Sequence, residues 1–245
     1  MAETSVLSGA TRTPPGLLSR FFGIVTAPRT TYESVVAHPR WLGMLVLTTL
    51  IVAAGTTLPM TTAAGREALL DKQVQQMEAF GMTVNDEMYQ QMRGRIGLAP
   101  YTTAGGIIVV SPVILVILAG ILFAVFTAGM GGTASFKQVF AVVVHAGVIS
   151  ALGQVFTGAL NYLQGTIASA TNLAVLLPML AEESFPGRLA GLIDLFLIWW
   201  VFVLAIGVAV LYRRRTQPIA VSLFGVYAVI AIAAAAVMSA FGGSK

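Results

Sequence analysis

Asp194 is a carboxylate within an apolar stretch, Leu189–Leu211, that holds no other charged residue. An ionisable side chain in such a stretch marks a functional site by default, once a partner can be named for it. Three roles stay open for this acid. It can join neighbouring helices while accepting hydrogen bonds from backbone N–H groups near a helix start. It can also bind a proton or an ion, or it can bind a partner molecule.

A residue can contact Asp194 only if it lies at a similar depth in the membrane. At 1.5 Å per residue, Asp194 lies about 8 Å from the start of its stretch, and Gln154 lies roughly 9 Å from the matching end of the stretch before it. Asn161 and Arg188 fall near the same end. His145 lies over about 20 Å from that end and is the poorer partner. The sequence therefore predicts an intramembrane polar site of Asp194, Gln154, Asn161 and Arg188.

Gln154 also belongs to a row of small residues. Gly147, Ala151, Gln154 and Gly158 follow one another at helical spacing, which places them on one helix face. Small residues let two helices approach closely, and a polar member can hydrogen-bond across the contact. We expect this face to pack against the stretch that carries Asp194.

Enzymatic motifs are missing from the sequence. It contains no G-x-x-x-x-G-K-[ST] phosphate loop, no G-x-S-x-G elbow and no H-E-x-x-H zinc helix. Cysteine is absent, which excludes disulfides and thiolate metal ligands. Met77, Met88 and Met92 could suggest Cu(I), but their helical spacing is more typical of a packing face. We expect no catalytic residue, no cofactor and no metal, and therefore a protein that is not an enzyme.

The composition indicates a membrane protein. The chain is 57% hydrophobic and 10% charged, against roughly 25% charged in a soluble domain. Apolar runs of about 18 residues or more can cross a hydrocarbon core of about 30 Å. They cross it as helices, because lipid offers the backbone no hydrogen-bond partner outside the helix. The predicted fold is an all-α integral membrane helical bundle with five spans, at about 41–58, 104–128, 139–160, 189–211 and 219–240.

Residues 17–38 precede the first span and are too polar to cross a membrane, but their apolar side chains follow a helical spacing. Five residues are assigned to a helix at the membrane interface: Phe21, Phe22, Arg20, Arg29 and Tyr32. Pro28 is expected to start a second short helix. Two interpretations stay open, an amphipathic pair on an anionic leaflet and a pair packed under the bundle. Residues 1–16 are predicted to be a disordered cytoplasmic tail.

Residues 61–99 form the longest polar stretch, and we expect an extracytoplasmic helical hairpin there. Gly81 is expected to end its first helix. Thr83, followed by Asp86, is expected to start the second in the manner of a capping box. Residues 166–180 are apolar but too short to span, so an interfacial and a re-entrant segment both stay open.

The positions of Lys and Arg predict the orientation. One side carries Arg12, Arg20, Arg29, Arg40, Lys137 and Arg213–Arg215, and the other carries Arg66, Lys72, Arg93, Arg95, Arg188 and Lys245. Arg213–Arg215 fill a very short loop, where the excess of cytoplasmic cations is most reliable. We expect a cytoplasmic N-terminus and an extracytoplasmic C-terminus. The net charge of +4 is explained by cations that flank spans, so no nucleic-acid partner is predicted.

Three motifs occur in a fixed order: FFGIVTAPRTTYESVVAHPRW at 21–41, GMGGTASFKQVFAVVVHAGV at 129–148 and LIDLFLIWWVFVLAIGV at 192–208. Together with the five-span layout, they resemble the Yip1 family in its bacterial form. The resemblance implies a single membrane domain over 17–240, with a cytoplasmic N-terminus, in the inner membrane. Eukaryotic relatives are associated with Rab GTPases and vesicle traffic, a role that does not transfer readily to a bacterial chain.

The function expected from these features is non-enzymatic. The protein would scaffold or regulate other membrane proteins or lipids, with the bilayer and a second membrane protein as partners, and a homo-oligomer stays open. The alternative is an accessory subunit of a transporter, or a small transport or lipid-handling protein that uses Asp194.

Overall fold

Two short helices precede the first apolar run in the computed structural model, which describes residues 15–79, 81–181 and 183–241. Helix α1 spans Leu17–Thr26, and α2 spans Pro28–Ala37 with Pro28 in its first turn. Proline is tolerated there because the first N–H groups of a helix have no partner within it. The expected division at Pro28 is therefore observed. Most of the predicted tail, residues 1–14, lies outside the described residues.

The remaining described chain is also helical. In order it contains α3 (Leu42–Thr57), α4 (Ala63–Ala79), α5 (Asp86–Arg95), α6 (Ala99–Phe123), α7 (Phe136–Gln164), α8 (Leu173–Leu176), α9 (Phe185–Leu192), α10 (Leu195–Leu211) and α11 (Thr216–Phe241). The all-α prediction is confirmed for the described residues, in which the only β-type pairing is an isolated bridge between Asn172 and Asp194.

Within the part of the chain that the structure describes, three helices are long and apolar enough to cross a membrane. They are Asp86–Gly129, Phe136–Gln164 and Thr216–Ala240. The apolar helices α3 and α10 are shorter, at 16 and 17 residues. Each of the five predicted runs thus holds an apolar helix, whereas the count of five crossings stays a prediction.

Helix α7 forms the centre of the bundle. It begins at a capping box, in which the side chains of Ser135 and Gln138 each accept a hydrogen bond from the backbone N–H of the other residue. It ends at Gly165, which adopts the left-handed conformation. A continuous buried segment of α7, residues 139–146, makes up much of the core. Helices α3, α6 and α10 pack around it, and α1 and α2 cover one of its ends.

Helices α3 and α7 meet at a contact between two glycines. A Cβ atom on Gly158 would overlap the backbone of Gly55, and a Cβ on Gly55 would lie 2.6 Å from the carbonyl oxygen of Gln154. The contact therefore requires glycine on both helices. The face of small residues predicted on α7 is used as expected, but its partner here is α3 rather than the stretch that carries Asp194.

The hairpin stretch departs from the prediction in two details. The side chain that caps α5 is Asn85, which accepts a hydrogen bond from the N–H of Met88 at 2.9 Å, and not Thr83. Moreover, α5 continues through a short 3-10 turn into α6, so that helical structure runs from Asp86 to Gly129. The second helix of the hairpin is thus an extension of the second predicted span.

The predicted fourth span, 189–211, is not one continuous helix. Helix α9 ends at Leu192, the backbone at Ile193 and Asp194 is extended, and α10 starts at Leu195. Periodicity alone could not show this break, because both helices are apolar and the two residues between them fit either pattern.

Candidate polar site at Asp194

Asp194 is the N-cap residue of α10. Its Oδ1 atom accepts hydrogen bonds from the N–H groups of Phe196 and Leu197 at 2.9 and 3.0 Å. Its Oδ2 atom accepts a hydrogen bond from the hydroxyl of Thr171. Aspartate is favoured at this position because it satisfies free N–H groups and faces the positive end of the helix dipole. These contacts explain why an acid is tolerated in an apolar stretch.

Two backbone hydrogen bonds, one on each side of Asp194, stabilise the break between α9 and α10. The N–H of Leu173 donates to the carbonyl of Ile193 at 2.8 Å, and the N–H of Leu195 donates to the carbonyl of Thr171 at 3.1 Å. Irregular backbone is tolerated at membrane depth only where protein or a water-lined cavity satisfies it. Thr171, and Leu173 at the start of α8, therefore complete the hydrogen bonding that the interrupted helix lacks.

Gln154 does not bond to Asp194. Its Nε2 atom donates to the hydroxyl of Thr56 at 2.8 Å, which joins α7 to α3. The predicted pair is replaced because Asp194 finds its donors in its own helix and in Thr171. Both side chains nevertheless line the same cavity.

Asn161 organises the chain after α7. Its Nδ2 atom donates to the carbonyl of Ala168 at 2.9 Å, and its Oδ1 atom accepts from the hydroxyl of Thr166 at 3.1 Å. The side chain is buried. Asn161 therefore folds residues 165–168 back toward the bundle, which brings Thr171 within reach of Asp194.

Arg188 lies apart from the cavity. Its Nε atom donates to the carbonyl of Glu183 at 2.9 Å, and its Nη1 atom bonds to the carbonyl of Met238. Helix α9 packs against α11, so this arginine is used to join those two helices. The prediction that Arg188 belongs to the Asp194 site is not met, because the break at residue 193 separates α9 from α10.

The cavity at Asp194 has a volume of about 390 Å³. Three of the four predicted site residues line it, namely Asp194, Gln154 and Asn161. Lys72 of α4 also lines it, and its Nζ atom donates to the carbonyl of Ile167 at 3.4 Å. The sequence does not single out Lys72 and Thr171, since Lys72 lies in a polar stretch and Thr171 is an uncharged residue of the short segment 166–180. We call this space the polar cavity.

An apolar groove adjoins the polar cavity. Its volume is about 650 Å³, and residues of α3, α6, α7 and α10 line it. Val110, Ile114 and Trp200 are among these residues. Ser150 and Leu197 line both spaces, so that they meet at these two side chains.

A second polar contact lies under α1. Arg20 is 8% exposed, and its Nη1 atom donates to the carbonyl of Arg40 at 2.7 Å. The same atom lies 3.4 Å from Nε2 of His145, whose Nδ1 lies 2.7 Å from the carbonyl of Ala141. This network assigns the ring proton to Nδ1 and leaves Nε2 as an acceptor. Burial, and then the charge of Arg40, lower the pKa of Arg20.

The five residues assigned to an interfacial helix divide into two groups. Arg20, Phe21 and Tyr32 are buried, whereas Phe22 and Arg29 have exposed side chains. Tyr32 packs against Gly207 of α10, and burial raises the pKa of its phenol. The interpretation of α1 and α2 as helices packed under the bundle thus describes their inner face, and Phe22 remains outside as an apolar residue able to contact lipid.

The structure brings no metal ligands together in the part of the chain that it describes. No group of three or more His, Cys, Asp or Glu side chains could hold a metal ion among residues 15–79, 81–181 and 183–241. The polar cavity instead offers hydrogen-bonding groups, one carboxylate and one ammonium group, which suit a polar ligand better than a bare cation.

Comparison with known proteins gives a consistent result along most of the chain. A family model described as "Yip1 domain" matches residues 22–238. A protein of Bacillus subtilis (strain 168), named "Membrane protein YknW", is 23% identical over 235 residues, which cover 92% of each chain. No solved structure matches this chain.

Proposed function

This chain belongs to the Yip1 domain family of membrane proteins, and from that premise we propose that it scaffolds or regulates other components of its membrane without being an enzyme. The proposal includes the inner membrane as its location, a cytoplasmic N-terminus and an extracytoplasmic C-terminus. The observation that carries it is the free face of α11.

Helix α11 has a long face that nothing in the described bundle covers. The helix contacts α10 and α9 along its other side. Its free face carries the small residues Ser222, Gly225, Ala233 and Ala236 at helical spacing, with Val229 between the two pairs, and all five are exposed. A Cβ atom on Gly225 would meet no other atom within 4 Å. Because small residues let transmembrane helices approach closely, this face suits a helix of a second membrane protein or of a second copy.

The test is the recovery of membrane partners from native membranes. Gly225→Leu fills the proposed contact and is expected to lower the recovery of a co-purifying membrane protein about tenfold, since overpacking costs about 1–3 kcal/mol. Gly105→Leu is the matched control, because Gly105 is also an exposed glycine with open space around it, on α6. Equal recovery with both variants and the unaltered chain would contradict the proposal.

The polar cavity supports a second candidate function. A transport or lipid-handling protein, or an accessory subunit of a transporter, would use Asp194 to contact its cargo. The cavity at this residue, with Lys72 and Gln154 in its walls, is the observation that favours this candidate. This candidate is tested by measuring the movement of lipid across the membrane of proteoliposomes that contain the purified protein.

A further inference from the structure

We propose that the polar cavity and the apolar groove are one binding site for a diacyl phospholipid whose headgroup carries a phosphate and a primary amine. The inference rests on the second candidate function only in that both use Asp194. A lipid held here could equally be a fixed component of a scaffold.

Continuity of the two spaces is the first argument. Ser150 and Leu197 line both of them, so that a single ligand can reach from one into the other. The polar cavity offers the side chains of Gln154, Asn161 and Thr56, whereas the surface that lines the groove is mostly apolar. A ligand that fills both must therefore have one polar end and one long apolar end, as membrane lipids do.

The length of the groove is the second argument. On α6 its lining runs from Thr103 to Leu118, which at 1.5 Å per residue is about 22 Å. The hydrocarbon of one leaflet is about 15 Å deep, half of a core of about 30 Å. The groove is thus long enough for an acyl chain. Val110 and Ile114 are exposed, at 51% and 57%, so a lipid can enter sideways from the bilayer.

Charge in the polar cavity selects the headgroup. Among the described residues that line it, Lys72 and Asp194 carry charge, one of each sign. A carboxylate has about four acceptor positions, and the three hydrogen bonds to Asp194 leave one for an ammonium group. Lys72 has three N–H donors and uses one on Ile167, which leaves two for a phosphate. A phosphate together with a primary amine complements this pair.

The choice among common headgroups follows from the same chemistry. Phosphatidylethanolamine carries N–H groups that can donate to Asp194. Phosphatidylcholine has a cation without an N–H, and phosphatidylglycerol has no cation. Since hydrogen bonds to charged groups are the stronger ones, the site should prefer the ethanolamine lipid over the other two.

The first part of the test measures lipid selectivity. The full chain, purified in detergent, is titrated with palmitoyl-oleoyl phosphatidylethanolamine, phosphatidylcholine or phosphatidylglycerol, and bound lipid is counted by native mass spectrometry. We expect the ethanolamine lipid to bind about tenfold more tightly than either of the others. Equal affinity for the three lipids would overturn the proposal.

Two headgroup variants test the charged pair. Asp194→Asn keeps a side chain that is favoured at an N-cap, and it is expected to remove the preference for ethanolamine over choline. Lys72→Gln is expected to weaken the binding of the ethanolamine and choline lipids about equally, because both lipids carry the phosphate. Lys137→Gln is the matched control, since Lys137 is an exposed lysine outside the lining of the polar cavity. Selectivity that survives Asp194→Asn in a folded protein would contradict the assignment.

Two matched pairs test the groove. Gly106 lines it and has open space around it, whereas the adjacent Gly105 has the same open space but does not line it. Gly106→Trp should therefore lower ethanolamine-lipid binding at least about tenfold, while Gly105→Trp should not. Val110→Trp and Val109→Trp repeat the comparison one turn along α6, in case the first pair fails to fold. Equal binding within both pairs would refute the groove as the acyl site.

The same purified protein separates this inference from the proposed functions. Lipid scrambling is measured in proteoliposomes that contain the ethanolamine lipid. Selective binding without scrambling supports the site and removes lipid transport as the second candidate. Absence of selective binding removes the site, and it leaves partner recovery through α11 unaffected, since Gly225 lies in a different helix from every lining residue.

Discussion

At the scale of single residues, Arg20 of α1 is the one Lys, Arg, Asp or Glu that is buried among the described residues. It contacts the carbonyl of Arg40 and Nε2 of His145, and its own Nε atom has no partner. A buried cation is costly unless its hydrogen bonds are satisfied. The contact between Arg20 and His145 nevertheless joins α1 to α7, because Nη1 of Arg20 can donate to Nε2 of His145.

Replacing Arg20 should therefore destabilise the protein more than replacing an exposed arginine. Arg20→Ala leaves the Arg40 carbonyl and the His145 ring without a donor, and we expect a loss of about 2 kcal/mol or more. Arg29 has a side chain that is 65% exposed and forms a pair with Glu33 at 3.7 Å. Arg29→Ala should cost no more than about 1 kcal/mol, as exposed ion pairs do. Thermal unfolding in detergent, followed by circular dichroism, compares the two. Equal losses would mean that the buried Arg20 contact contributes no more than the exposed pair of Arg29 and Glu33.

The sequence singled out the residues whose chemistry is unusual for their surroundings. Asp194 was conspicuous as the one acid among apolar neighbours, and depth placed Gln154 and Asn161 at the same end of the bundle. The hydrogen bond from Thr171 could not be predicted, because it depends on how residues 165–172 fold back. Nor did depth alone suggest the partner of His145, since Arg20 belongs to a helix before the first apolar run.

At the scale of elements, the position of the helices follows from apolar periodicity and from their caps, while their interruptions do not. Helix α7 was placed correctly because an unbroken apolar run leaves few alternatives. The break between α9 and α10 is stabilised by Asp194 and by strand-like pairing with residues 171–173. Such pairing is a tertiary contact, so local sequence could not reveal it.

The glycine contact between α3 and α7 gives a prediction at this scale. Gly158→Ala places a methyl group against the backbone of Gly55, and we expect a loss of about 1–3 kcal/mol from overpacking. Gly147→Ala lies on the same face of α7, where the added Cβ would find Thr48 at 3.8 Å, an ordinary contact. It should leave stability unchanged or raise it by up to about 1 kcal/mol, since alanine is the better helix former.

Thermal unfolding of the two alanine variants in the same detergent measures this difference. A melting temperature that falls with Gly158→Ala and not with Gly147→Ala is the expected result. If both variants melt like the unaltered chain, α3 and α7 can separate at little cost, and the close contact does not stabilise the bundle.

At the scale of the whole molecule, one group of arginines lies together at one end of the bundle. Arg29 and Arg213–Arg215 line a common cleft. The loop before α7 lies at the same end, because Arg214 donates to the carbonyl of Met130 at 3.4 Å and Gln138 donates to that of Val36 at 3.2 Å. The hairpin and the polar cavity are joined through Lys72. Five crossings require this grouping of connections, and the proposed orientation would place Arg29 and Arg213–Arg215 on the cytoplasmic side.

Five crossings predict that the two ends of the chain lie in different compartments. A fluorescent protein that matures only in the cytoplasm should therefore be bright when fused before residue 1 and dark when fused after residue 245. Alkaline phosphatase, which is active only outside, should give the opposite pattern. Insertion of either reporter between Thr83 and Val84, in the turn between α4 and α5, serves as the internal control and should match the C-terminal fusion.

The short helices α3 and α10 decide the outcome, since at 1.5 Å per residue their 16 and 17 residues extend about 24 and 26 Å. They can cross a core of about 30 Å only if flanking residues complete the passage or the bilayer thins locally. If one of them does not cross, both termini report the same compartment, and the count of five crossings fails.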